Sequence, residues 1–188
     1  MNPVALSDLA LACACAWVCV LQYRHSAALT LAAALIGLAA ALGVGFYSGA
    51  VALEAAHRVA SQLSASAAFP LLAVGYAFPK HAVSRRYGLA AGVATVLGLA
   101  GRGAAALGLA QAGSVISVFS VGVMIWATAR APSLVRIVGM SFLTASIAVV
   151  AFGGSATRYF HSFTRVEMLH YLLAVALVAL FGARNSRG

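Results

Sequence analysis

Seven apolar runs, separated by short polar breaks, fill the chain from one end to the other. The first runs from about Val4 to Tyr23 and stops at Arg24-His25. The second, Ala27 to Phe46, closes in a glycine-rich stretch that predicts a turn at Gly45–Gly49. The third spans Ala50 to Phe78, with a kink predicted at Pro70. A basic loop from Pro79 holds Lys80, His81, Arg85 and Arg86, and the fourth run goes from Tyr87 to Ala110. The fifth, Gly113 to Ala129, is stopped by Arg130-Ala-Pro132, and the sixth runs from Leu134 to Phe152. A polar loop, Gly153 to Arg165, precedes the seventh, Val166 to Phe181. A spanning helix needs about 20 apolar residues. The pattern therefore predicts an all-α, polytopic membrane protein, a seven-transmembrane helix bundle forming one domain over residues 1–188.

Composition agrees with that pattern. Hydrophobic residues make up 63% of the chain and charged residues 8%, which is the membrane class and leaves no soluble domain. The net charge of +9 predicts no nucleic-acid partner, because the basic residues stand singly between apolar runs, where topology determinants sit. With the C-terminus inside, eight Lys and Arg fall on the inner side (Arg24, Lys80, Arg85, Arg86, Arg130, Arg136, Arg184, Arg187) and four on the outer (Arg58, Arg102, Arg158, Arg165). That asymmetry predicts an N-out, C-in protein, in a bacterial inner membrane, with membrane lipids as neighbours. Cys13, Cys15 and Cys19 share one run and read as small apolar residues. Frequent small residues such as Gly88 and Gly92 suit close helix packing and leave a homo-oligomer open.

The candidate chemistry lies in the acids, of which there are only three: Asp8, Glu54 and Glu167. Two stand three residues ahead of a histidine, in Glu54-Ala-Ala-His57 and Glu167-Met-Leu-His170. On a helix such pairs share a face, and an ionisable group inside a membrane is a functional-site hypothesis by default. At about 1.5 Å per residue, all five groups fall within roughly 10 Å of one depth near the outer side. The expectation is one shared site. His57, His170 and Glu167 would ligate a metal, with zinc favoured, and the remaining carboxylates, Asp8 and Glu54 with Glu167, would supply the base that activates a bound water. Arg102, the one cation well inside a run, and His161, in the loop above, are candidates for contacting a substrate head group.

In layout, this chain resembles the alkaline ceramidase-like superfamily of membrane hydrolases. The resemblance rests on an acid opening the first span (Asp8), a histidine near the outer end of the span 2–3 region (His57) and a histidine opening the last span (His170). It implies a zinc held between helices, and hydrolysis of an amide in a lipid or other amphiphilic substrate. Two other classes fit the same residues. In one, iron on the two Glu-x-x-His pairs, or haem on His57 and His170, makes a redox protein. In the other, the carboxylates relay protons in a proton-coupled transporter.

Overall fold

The computed structural model describes residues 2–109, 111–152, 158–159 and 163–182, with the side chains of all but 151, 152, 158 and 159. The chain is all-helical apart from one small hairpin. The long helices are α1 (Pro3–Gln22), α2 (Ala27–Tyr47) and α3 (Val51–Ala77). A short α4 (Ala82–Arg85) leads into α5 (Tyr87–Ala106), α6 (Ala112–Arg130) and α7 (Leu134–Phe152). Strands β1 (Arg158–Tyr159) and β2 (Phe163–Thr164) pair antiparallel just before α8 (Arg165–Phe181). Five of these helices, α1, α2, α3, α5 and α6, are long and apolar enough to cross a membrane; α7 adds a shorter apolar stretch, Leu134–Val150.

Local chemistry sets the helix ends. Asn2 caps α1 by accepting from Val4 N, with Pro3 at the first helical position. Ser26 caps α2 by accepting from Leu29 N at 3.2 Å. Helix α5 stops at Ala106, short of the expected Ala110, and Gly108 beyond it adopts φ +82°.

Two expectations change here. Helix α2 runs through Gly43 and Gly45 to Tyr47, and the turn is confined to 48–50, with Gly49 at φ +109°. Gly43 and Gly45 are packing glycines: a Cβ on Gly45 would lie 2.5 Å from Leu53 Cδ1. Nor is Pro70 met by a simple kink. A proline ring crowds the carbonyl four residues back, here Ser66, and α3 widens into a π turn at Ser64–Ala68 directly before Pro70. Glycines make room for this wider turn. A Cβ on Gly101 would come within 2.5 Å of Ser66 Cβ, and one on Gly113 within 3.2 Å of Ala65 Cβ.

The tightest packing joins α1, α2 and α8. Ala28, Ala32, Ala33 and Ala176 are fully buried there, which lets backbones approach closely. At the far end Gln22 Nε2 donates to the Phe181 carbonyl (2.9 Å), tying the first helix to the last. Helix α5 lies at the other extreme, with only 11% of its apolar window buried.

Candidate functional site

Asp8 lies in the second turn of α1 and is 1% exposed. Its Oδ1 stands 2.9 Å from His170 Nδ1 on α8, and the His170 side chain is 14% exposed. The carboxylate sits off the direction of a hydrogen bond, so both Asp8 oxygens have no hydrogen-bond partner among the described residues. Unsatisfied buried carboxylate oxygens are costly and mark a place where a ligand group or water is expected.

The same His170 nitrogen lies 3.3 Å from Ser7 Oγ, whose hydroxyl donates to the Val4 carbonyl at 2.8 Å. With its one proton committed there, Ser7 accepts from His170. A bare nitrogen facing a carboxylate oxygen at 2.9 Å would be repulsive, so the ring proton belongs on Nδ1. That leaves Nε2 as the basic atom. Ser7 and Asp8 meet the same ring nitrogen, so they do not form a serine–histidine–acid relay, which needs one partner on each nitrogen.

His57, on α3, comes to the same place. Its Nδ1–H donates to the Ala39 carbonyl at 3.0 Å, which again leaves Nε2 as the free acceptor. The ring packs against Phe46, stacked at 5.9 Å, and Tyr47, edge-on at 5.7 Å. Gly43 makes the meeting possible: a Cβ there would lie 2.3 Å from Asp8 Oδ2 and 3.0 Å from His57 Cε1. Asp8, His57 and His170 all line one cavity of about 750 Å³.

The two glutamates are not part of this group. Glu54 Oε1 accepts from Arg58 Nη2, one helical turn on, and its side chain is 46% exposed. Glu167 is buried but turned to its own helix. Thr164 N donates to Glu167 Oε2 and Glu167 N donates to Thr164 Oγ1, a reciprocal cap of the α8 N-terminus. The geometry thus separates each Glu-x-x-His pair: the histidine faces the cavity, and the acid serves its own helix. Arg102 is exposed on α5 and does not line the cavity. His161 lies outside the described residues.

The expected metal set therefore does not assemble. With Glu167 in a cap, His57 and His170 lack their third ligand, and among the described residues no three His, Cys, Asp or Glu side chains could hold one ion. Two imidazoles and a carboxylate with unused oxygens are right in kind for zinc but not gathered as a ligand set. The two glutamates of the paired Glu-x-x-His iron arrangement likewise lie apart from the histidines of the cavity.

Sequence reasoning missed several cavity residues. Ser61 and Ser64 on α3, and Gln111, Ser114 and Ser117 at the start of α6, line it. Ser64 donates to the Leu35 or Ala60 carbonyl and Ser117 to that of Ala65 or Gly113, all near 3.0 Å. Thr164-Arg-Val-Glu167 is the one overlooked signal in plain sight, since Thr-x-x-Glu before an apolar run is a helix-capping pattern. No protein family, curated protein or solved structure matches the chain.

Proposed function

We propose that this chain is a seven-span integral membrane protein, N-out and C-in, that hydrolyses an ester or amide bond in an amphiphile. One observation carries the reading: a fully buried carboxylate with two unused oxygens, 2.9 Å from a histidine nitrogen, at the wall of a cavity of about 750 Å³. Cavities of roughly 300–1,000 Å³ with a few converging polar groups are where small molecules bind. The layout of Asp8, His57 and His170 on the first, third and last long helices, which resembles alkaline ceramidase-like hydrolases, supports the same class.

In this reading His170 Nε2 is the general base. It takes a proton from a water as the water oxygen adds to the substrate carbonyl carbon. The imidazolium that forms is stabilised by Asp8 beside Nδ1. As the tetrahedral intermediate collapses, the same proton passes to the leaving oxygen or nitrogen, and the carbonyl bond reforms. His57 Nε2 accepts a hydrogen bond from the head group and so fixes its position. No step is assigned to a metal.

The test is turnover of single-chain ester and amide amphiphiles by protein in lipid nanodiscs. Wild type is expected to release product, and His170→Ala and Asp8→Asn to lose about 10²-fold or more in kcat, with unchanged circular dichroism. Full activity in His170→Ala, or no turnover of any substrate by folded wild type, would sink the proposal. Elemental analysis of the same samples decides the chemistry. Stoichiometric zinc in wild type that is lost from His170→Ala would replace the proton-transfer scheme with a metal-based one.

A further inference from the structure

The cavity is polar at one end and apolar at the other. Around Asp8, His57 and His170 its wall is completed by Ser61, Gln111 and Ser114. Deeper in, the lining is Leu11, Ile36, Phe69, Phe119 and Leu173. From His57 to Phe69 along α3 is about 18 Å, and from Gln111 to Phe119 along α6 about 12 Å, so the two ends are well separated. The mouth opens sideways, not at a helix end. Val115, Val118 and Phe119 of α6 line the cavity yet are 65%, 52% and 76% exposed. They form an apolar rim on the flank of a helix long enough to cross a membrane. An occupant reaches the site from the hydrocarbon layer with its tail in the deep end. A volume of about 750 Å³ takes one hydrocarbon chain with a small head, and is too small for a two-chain phospholipid.

The polar end also has a sign. Among the described residues neither Lys nor Arg lines the cavity; Arg102 is on an exposed face of α5 and Arg58 is held by Glu54. The formal acid there is Asp8, whose two oxygens lack donors. Both histidines commit Nδ1 to neighbours already in place, leaving acceptors on Nε2. Among the described lining residues such a pocket offers a phosphate, sulfate or carboxylate only the neutral donors of Ser61, Ser114 and Gln111 and no cation, and such a head would sit against Asp8. An ammonium or hydroxyl head supplies the missing donors.

We infer that the cavity selects a single-chain amphiphile with a hydrogen-bond-donating, non-anionic head, admitted sideways past α6. This rests on the hydrolase reading for its role but is tested by binding alone. A fluorescent single-chain ammonium probe is bound to the protein in nanodiscs of zwitterionic lipid and displaced by dodecylammonium, dodecanol or dodecyl phosphate. Dodecylammonium is expected to displace it at about tenfold or more lower concentration than dodecyl phosphate, with dodecanol between. Asp8→Asn is expected to shrink that gap to threefold or less. Asp8→Glu keeps it, which separates lost charge from lost fold. Val118→Trp, on the apolar rim, weakens all three chains alike. Equal displacement by phosphate and ammonium in wild type overturns the inference, as does an undiminished gap in folded Asp8→Asn. Head-group preference without turnover would leave this inference standing and remove the hydrolase reading; turnover without preference would do the reverse.

Discussion

Helices α2 and α5 both carry several glycines, all of them in close contact on α2 but only some of them on α5. On α2, a Cβ at Gly37, Gly43 or Gly45 would strike Cys15, Asp8 or Leu53 at 2.9, 2.3 and 2.5 Å. On α5, a Cβ at Gly88, Gly92 or Gly103 would meet nothing within 4 Å. The same residue is thus a spacer at each of these α2 positions, whereas on α5 only Gly98 and Gly101, which face Leu63 and Ser66 of α3, serve that way. The α1–α2–α8 side is packed to contact and holds Asp8 against Gly43 and His170. The α6 side is more open, with Val115, Val118 and Phe119 exposed, and leaves the cavity its opening. A binding site between helices needs both: a rigid wall to hold the reacting groups in place and an open one to admit the substrate.

The sharpest way to break this contrast is to exchange the roles of two glycines. Gly43→Ala forces Asp8 or His57 to move, and a displacement of about 1 Å at a reacting group costs on the order of 10²-fold in rate. Gly92→Ala is expected to leave activity within twofold of wild type. The hydrolysis assay in nanodiscs measures both, and equal effects would mean that α2 does not hold the site rigid. A smaller effect sharpens the division of labour within the Glu-x-x-His pairs. Glu167→Ala removes the α8 cap and is expected to cost about 1 kcal/mol, lowering Tm by roughly 2–4 °C. Glu167→Gln, which can still cap, is expected to recover most of that loss. A Glu167→Gln protein with wild-type Tm and no activity would return Glu167 to the chemistry. The smallest effect belongs to Glu54→Ala. A half-exposed i, i+4 ion pair contributes at most about 0.5 kcal/mol, so Tm and turnover should both stay within about 1 °C and twofold of wild type.

The helices were legible because their limits are marked by groups that apolar spans exclude. Arg24-His25, the basic loop after Pro79, Arg130 with Pro132, and Arg165 bracket the observed helices to within a residue or so. The α2–α3 turn was misplaced because glycine serves two purposes, turn and close contact, and sequence alone does not tell Gly43 from Gly49. For the candidate site, rarity and depth pointed to Asp8, His57 and His170, and these three do share one cavity. Rarity misled for the glutamates, because each had a nearer partner: Arg58 one turn along, and the free backbone N–H groups at the start of α8. The cavity serines were invisible because a serine inside an apolar helix satisfies itself on a carbonyl one turn back, as Ser64 and Ser117 do.

Ser7 and His170 are 163 residues apart in the chain and meet in the finished protein. The acid beside that serine, on α1, is therefore made well before α8 brings the histidine that stands beside it. Until then, a carboxylate buried to 1% in the finished protein lacks the imidazole that stands 2.9 Å from it. Synthesis is in this sense counted off by the site itself. A chain cut short anywhere before α8 carries an unmatched acid in α1, and only with α8 in place is that acid buried against His170.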